Sequence, residues 1–313
     1  MSRLLVTGAD GFVGRWLVRA ARAAGHHVIA AVAPDGVAPA TWLTSEELAG
    51  CETVRADLRE PAGIAALVAT APSAVIHLAA MASGAAARLD PAAAWALNAG
   101  ATAALADGLV QVGRPTFLLV STGEVYGRDH SGPIPETASL APCSPYAASK
   151  VGAEVAVLEV RRRTGLPVVI ARPFPHTGPG QAPIYVLPAL AARLREAART
   201  GATEIAVGNL APVRDLLDVR DVVTAYLALL TKGVPGEAYN VASGTGHRLT
   251  ECFEMLARLA GTTARPVQDA ALLRAADLPT LIGDPTRLRT TTGWAPQISL
   301  DRTLQDLVHA QAD

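Results

Sequence analysis

The chain has 313 residues, 50% of them hydrophobic, and 27 basic side chains stand against 28 acidic ones for a formal net charge of −1. That composition can bury one large core or two unequal ones, and it leaves no basic stripe for nucleic acid. Three scattered cysteines (Cys51, Cys143, Cys252) and histidines without ligand spacing predict no disulfide framework and no metal site, and they point to a cytoplasmic protein. The first strand begins within a few residues of Met1, so no signal peptide is expected. Gly63 to Ala87 carries no charge, yet Pro72, Ser73, His77 and Gly84 interrupt it. It reads as a helix end, a turn and a buried strand, with no membrane span.

In chain order, apolar runs at Leu4–Thr7, Val28–Val32, Val54–Asp57, Val75–Leu78, Phe117–Ser121 and Val168–Arg172 predict strands. Helices are expected between them at Phe12–Ala24, Gly63–Ala69, Ala92–Val112 and Ala147–Thr164. Continuous rather than alternating apolar strands imply a sheet covered on both faces, and strand–helix alternation implies parallel βαβ units. The fold class is α/β: a doubly wound, Rossmann-type parallel sheet over residues 1–172. From Pro173 the alternation breaks, and residues 173–313 are expected to form mainly a smaller substrate-binding lobe, with some elements returning to the main sheet. Its elements are helices near Ile184–Arg199, Asp218–Leu230 and Leu249–Leu259, a final helix capped at Ser299, and strands at Glu204–Val207 and Ala238–Val241.

The first strand runs into Thr7-Gly8-Ala9-Asp10-Gly11-Phe12-Val13-Gly14 and then a helix. Glycines at 8, 11 and 14 permit a tight turn and close backbone approach to a pyrophosphate at the helix N-terminus. Asp57 can accept from an adenine amino group, or cap the following segment. The second strand ends near Val32-Ala33, which offers neither the acid expected for NAD nor a base for NADP. Arg15 is placed to reach a 2′-phosphate or to sit in solvent. The coenzyme is therefore NADP(H) or NAD(H), with a lean to NADP(H).

Of the 27 basic residues only Lys150 and Lys232 are lysines. Lys150 follows Tyr146 by four residues in Ser144-Pro145-Tyr146-Ala147-Ala148-Ser149-Lys150, so the two share a helix face. An ammonium beside a phenol is expected to lower the phenol's pKa, so that Tyr146 exchanges a proton while a nicotinamide exchanges hydride. Thr122, at the end of the strand that leads into Ser121–Gly127, supplies a second hydrogen bond to the reacting oxygen, and Lys150 can also bind the nicotinamide ribose.

These stretches, with His77-Leu78-Ala79-Ala80, Asn98 and Arg172-Pro173-Phe174, resemble the extended short-chain dehydrogenases/reductases of the NAD-dependent epimerase/dehydratase family. The resemblance covers essentially the whole chain. It implies that the coenzyme lies along Gly8, Gly11, Phe12, Val13, Gly14, Asp57, Leu58, Leu78, Ala79 and Ala80, with Asn98, Tyr146, Lys150 and Pro173 beside it. The C-terminal half is most similar to GDP-4-keto-6-deoxy-D-mannose reductases, through Phe174–Gln181, Gly208–Leu210, Val213–Asp215, Asp218–Val222, Tyr239–Gly244 and Leu278–Gly283. By that resemblance Arg214 and Arg274 bind a substrate diphosphate, and Ser83, Glu124, His176 and Asn209 face the sugar nucleotide. Gly123 stands where related 4,6-dehydratases carry an acid or hydroxyl, which favours a simple reductase with Glu124 as orienting group or lone base. Pro175 departs from the family's asparagine, and Met81–Leu89 is small and apolar. The expected activity is NAD(P)H-dependent reduction of the 4-keto group of a nucleotide-linked 4-keto-6-deoxyhexose. The alternative is a nucleotide-sugar 4-epimerase or dehydratase with tightly bound NAD. A homodimer through the helices Ala92–Val112 and Ala147–Thr164 is implied by the resemblance.

Overall fold

The computed structural model describes residues 2–34, 43–273 and 278–310. A seven-stranded sheet forms its centre, built from β1 (Arg3–Thr7), β2 (His27–Val32), β3 (Glu52–Arg55), β4 (Ala74–His77), β5 (Thr116–Val120), β6 (Val168–Pro173) and the strand Ala238–Val241. The order is Ala238–Val241, β6, β5, β4, β1, β2, β3, and every neighbouring pair is parallel. The order reverses beside β1, so a crevice opens beyond the carboxyl ends of β1 and β4, where ligands bind in such sheets.

Both faces of the sheet are covered. Leu4 and Val6 of β1 pack into one core with α1 (Phe12–Ala23), whereas Leu5 between them points into the other core. Alternate residues of the same strand thus enter opposite apolar layers, which is why the strands read as unbroken apolar runs. After the short α2 (Ser45–Ala49), the second layer is formed by α3 (Pro61–Ala69) and by the later helices that precede β5 and β6.

The stretch expected as one helix over Ala92–Val112 is broken. Two short helices, α4 (Gly84–Leu89) and α5 (Pro91–Trp95), lead into a π-helical segment at Ala96–Ala101, and α6 (Thr102–Leu109) follows. The Thr102 hydroxyl donates to the Asn98 carbonyl at 2.7 Å, so a side chain takes up a carbonyl inside the widened turn. The third strand also ends earlier than expected, at Arg55, and leaves Asp57 in the loop that follows.

The helix α7 (Pro145–Thr164) starts with Ser144 as its N-cap, accepting from the Ala147 N–H at 3.1 Å, and with proline in the first turn. Beyond β6 come α8 (Val186–Thr200), α9 (Val219–Lys232), α10 (Leu249–Leu259), α11 (Thr286–Thr292) and α12 (Leu300–His309). Helices α8, α10 and α12 share a separate core with Ile205 and Val207. Helix α9 instead packs on α1 and the main sheet, and Ala238–Val241 extends that sheet. The second half of the chain therefore supplies both a small lobe and parts of the large one. No helix among the described residues is long and apolar enough to cross a membrane.

Candidate active site

The Gly-rich turn is built for a close neighbour. Gly8 has φ +67°, a left-handed conformation, and a Cβ there would meet the Ala79 backbone at 3.0 Å. Gly14 lies in the first turn of α1, and a Cβ on it would lie 2.1 Å from the Gly8 carbonyl oxygen. Gly11 is the N-cap of α1 and brings no side chain, so the first-turn N–H groups of Phe12, Val13 and Gly14 have no intrahelical acceptor. A dinucleotide pyrophosphate fits this cradle. Gly14→Ala is expected to abolish coenzyme binding, because the methyl group cannot fit unless the turn moves; titration of NADPH fluorescence checks it.

Around the cradle, Leu78, Ala79 and Ala80 line the loop after β4 and are partly exposed. Asp57 accepts from the Arg59 guanidinium at 2.6 Å, and this pairing holds its carboxyl below the usual range. The Asp57 carboxylate is therefore charged, with both oxygens accepting from Arg59, and Leu58 next to it is buried. Pro173 ends β6 and is buried. Arg15 stands one residue past Gly14, with Nε 3.9 Å from Glu47 Oε2, and Arg19 binds the same carboxylate.

Asn98 requires a correction. It was expected to touch the coenzyme, but it has no exposed surface and its amide is spent on the protein. Its Oδ1 accepts from the Met81 N–H at 2.8 Å, and its Nδ2 donates to Ser149 Oγ at 2.9 Å. Asn98 braces the loop after β4 against α7 instead of facing a ligand.

At the carboxyl end of β5, Thr122 hydrogen-bonds Tyr146, and Glu124 lies close enough to act on the same phenol. The Thr122 Oγ1 also accepts from the Glu124 N–H at 3.2 Å and caps the short helix Gly123–Tyr126. Tyr146 keeps some exposed surface at the mouth of the site. The expectation that Lys150 lowers its pKa does not hold. Burial is the largest influence and raises the phenol well above its ordinary value; Glu124 and Tyr185 raise it further, and the Thr122 hydrogen bond opposes them. The physical reason is that the phenol is largely buried and the Glu124 carboxylate acts on it, and both disfavour a phenolate. Tyr146 is therefore a protonated hydroxyl at neutral pH, the form that donates a proton.

Lys150 lies one turn along α7 and is 2% exposed. Burial pushes its ammonium down to about 8, and Glu154 opposes that shift. Glu154 is itself held by Arg172 on β6, at 2.7 and 3.0 Å, and by the Ser121 hydroxyl at 2.5 Å. This buried cluster fixes the depth of α7 against β5 and β6.

Gly123 has a packing reason. A Cβ there would press on the Phe174 ring at 3.1 Å, a contact that yields only if the ring shifts. Phe174 is fully buried beside Tyr126, with ring centroids 6.3 Å apart. The position before Glu124 therefore has little room for an acidic side chain.

The expected substrate residues are spread over the rim. His176 is partly exposed, and its Nδ1 lies 3.0 Å from the Phe174 carbonyl; burial lowers its pKa. Ser83 caps α4, accepting from the Ala86 N–H at 3.2 Å. Asn209 is exposed and accepts from the Ala211 N–H, and Arg214 donates to the Val213 carbonyl. Arg274 lies outside the described residues. Tyr185, at the start of α8, acts on the Tyr146 phenol and was not foreseen, because only the tertiary fold brings it there. Among the described residues no cluster of His, Cys, Asp or Glu could hold a metal.

Residues 4–242 match the NAD dependent epimerase/dehydratase family. The GDP-6-deoxy-D-mannose reductase of Pseudomonas aeruginosa is 37% identical over 312 residues, covering 98% of this chain and 96% of that protein. A structure of RMD from Pseudomonas aeruginosa complexed with NADPH is 35% identical, with a TM-score of 0.84 and 98% of both chains covered. The UDP-glucose 4-epimerase of Thermotoga maritima, solved with UDP-glucose, is 28% identical with a TM-score of 0.89, again over 98% of both chains. The chain belongs to the NAD dependent epimerase/dehydratase family.

Proposed function

We propose that this family member is a nucleotide-sugar 4-ketoreductase acting on an NDP-4-keto-6-deoxyhexose, with the GDP-linked 4-keto-6-deoxymannose as first candidate. The observation that carries this reading is Gly123 against the Phe174 ring, which leaves Glu124 without a second acid beside Thr122 and Tyr146. A ketone reduction needs a proton donor at O4, whereas an epimerase or dehydratase must first remove a proton from that hydroxyl. The reductase relative is consistent with the same direction.

The residues divide the work as follows. Tyr146 donates its proton to O4, and Thr122 hydrogen-bonds the same oxygen and orients the keto group. Lys150, which makes no hydrogen bond to a described residue, offers its ammonium to the ribose hydroxyls. Glu124 orients the sugar. Arg214, with Arg274, holds the diphosphate, and Ser83, His176 and Asn209 border the nucleotide sugar. The nicotinamide, when bound, supplies the hydride. Gly8, Gly11, Phe12, Val13 and Gly14 hold its pyrophosphate, Asp57 and Leu58 take the adenine, and Leu78, Ala79, Ala80 and Pro173 enclose the rest.

NADP(H) is the favoured coenzyme. Arg15 follows Gly14 in the first turn of α1, and NADPH occupies the related reductase. The protein is proposed to work as a cytoplasmic homodimer. Leu89 (89% exposed), Trp95 (46%) and Val155 (61%) leave an apolar face on α4, α5 and α7 that a second copy would cover.

Activity is expected to fall as pH rises through about 8, where Lys150 loses its charge. The folded value lies below the ordinary 10.5, so the buried charge costs stability below about pH 8. That cost disappears as pH rises toward 10.5, so stability from this group should rise with pH while activity falls. A pH series of turnover and of thermal unfolding separates the two trends.

The reading is tested by generating GDP-4-keto-6-deoxymannose in situ and following NADPH and NADH absorbance separately. Oxidation of either coenzyme supports a ketoreductase. Conversion of a sugar nucleotide with no added coenzyme would replace it with the epimerase or dehydratase reading, which the Thermotoga neighbour keeps in view.

A further inference from the structure

His77 ends β4 directly beneath the coenzyme loop, is 1% exposed, and has no part in the chemistry above. Both of its ring nitrogens are hydrogen-bonded. The Ala79 N–H donates to Thr7 Oγ1 at 3.2 Å, and the Thr7 hydroxyl lies 2.7 Å from His77 Nδ1. On the other side His77 Nε2 lies 2.8 Å from Thr102 Oγ1, whose hydroxyl is already donated to the Asn98 carbonyl at 2.7 Å. Thr102 has a single proton, so it must accept from His77. Nε2 therefore carries the ring hydrogen, and Nδ1 accepts from Thr7. The chain continues through Asn98 Nδ2 to Ser149 Oγ at 2.9 Å, and from Ser149 to the Tyr146 carbonyl at 2.7 Å.

The line is buried between Thr7 and Ser149, part-buried at its two ends, and joined through Asn98 by that residue's own covalent frame. It starts at Thr7, the residue before the Gly-rich turn, passes the Ala79 loop, crosses the π-helical turn, and ends on the backbone of Tyr146. A cation at His77 would reverse the bond to Thr7: Nδ1–H would donate to the hydroxyl oxygen that already accepts from Ala79 N–H, and the Thr7 proton would lose its acceptor. The groups around the imidazole oppose that cation too: burial and the Lys150 ammonium push it down to about 3. No carboxylate figures among the influences on His77, and the Glu154 carboxylate beside Lys150 is committed to Arg172.

We infer that His77, as a neutral Nε2–H imidazole, is a positioning residue that sets the coenzyme loop and the catalytic end of α7 in register through the Thr7–His77–Thr102–Asn98–Ser149 hydrogen-bond line. The inference rests on the coenzyme site proposed above.

Two variants separate the halves of the line. In His77→Asn the shorter amide reaches Thr7 in place of Nδ1 but cannot reach Thr102. Coenzyme affinity should stay at the parent level while turnover falls on the order of 10²-fold, the cost of a small misplacement of Tyr146. Thr102→Val cuts the same link from the other side and should give the same split, and it keeps the test open if the histidine variant does not fold. The parent's His77 should show a slowly exchanging Nε2 proton by NMR and no titration between pH 5 and 9. Variants that fold, bind coenzyme and turn over like the parent would overturn the inference, as would a His77 that titrates in that range. If the parent itself binds no nicotinamide coenzyme, the proposed site fails, and the NMR signature still decides the hydrogen-bond line.

Discussion

Tyr146→Phe is expected to lower turnover by roughly 10²–10⁴-fold, the usual contribution of a positioned proton donor, while coenzyme binding persists. The phenol hydrogen-bonds Thr122, which is buried, while Tyr146 itself keeps some exposed surface at the mouth through which it can meet the substrate oxygen. Removal of the hydroxyl therefore strips the proton source without disturbing the Gly-rich cradle, which lies on α1 and the loop after β4. Steady-state kinetics beside a coenzyme titration checks the prediction. A variant that keeps parental turnover would mean that Tyr146 is not the donor. Loss of binding and turnover together would mean that the ring matters for packing and not for protonation.

Glu154→Gln has the second large expected effect, and it falls on stability. Glu154 and Arg172 are nearly fully buried and joined by two hydrogen bonds, with Ser121 completing the carboxylate. Neutralising the acid leaves the Arg172 charge buried without its partner, which costs about 3–5 kcal/mol. Arg172 also donates to Tyr126 OH at 2.9 Å, and Tyr126 donates to Asn240 on the neighbouring strand Ala238–Val241, so the damage spreads across two strand edges. Denaturant unfolding measures it. The double variant Glu154→Gln/Arg172→Met should recover much of the loss, because replacing both charges with apolar volume removes the unpaired ion. A single variant as stable as the parent would show that solvent or another anion reaches Arg172.

Much of the fold could be read from the residues. The six strands of the main sheet before Pro173 lie within two residues of their expected positions, because buried parallel strands leave unbroken Val, Ile and Leu runs bounded by glycine and proline. Thr122, Tyr146 and Lys150 were legible for the same local reason: a strand end and one helical turn fix their spacing. What failed depends on tertiary contact. The helix Ala92–Val112 reads as one periodic segment, whereas the structure divides it with a π-helical segment at Ala96–Ala101, where Asn98 and Thr102 bond to other parts of the fold. Asn98 lies in a motif that suggests a ligand contact, yet its partners are Met81 and Ser149. The Tyr146 phenol was assigned a lowered pKa from the i,i+4 lysine, but burial and Glu124 act more strongly, and neither is visible in a spacing. Tyr185 and the Glu154–Arg172 pair come from elements 18 or more residues away in sequence from their partners, with no local pattern to mark them. Gly123 showed the reverse. Its lack of a side chain was visible in the sequence, and the fold supplied the cause in the Phe174 ring.

The hydride itself can be followed from the coenzyme to the sugar. With NADPH dideuterated at nicotinamide C4, the protein and the 4-keto sugar nucleotide, the product is isolated and the deuterium located by NMR. A 4-ketoreductase places one deuterium at C4 of the sugar for each coenzyme oxidised. A product without deuterium at C4, or one formed with no coenzyme consumed, would contradict that activity.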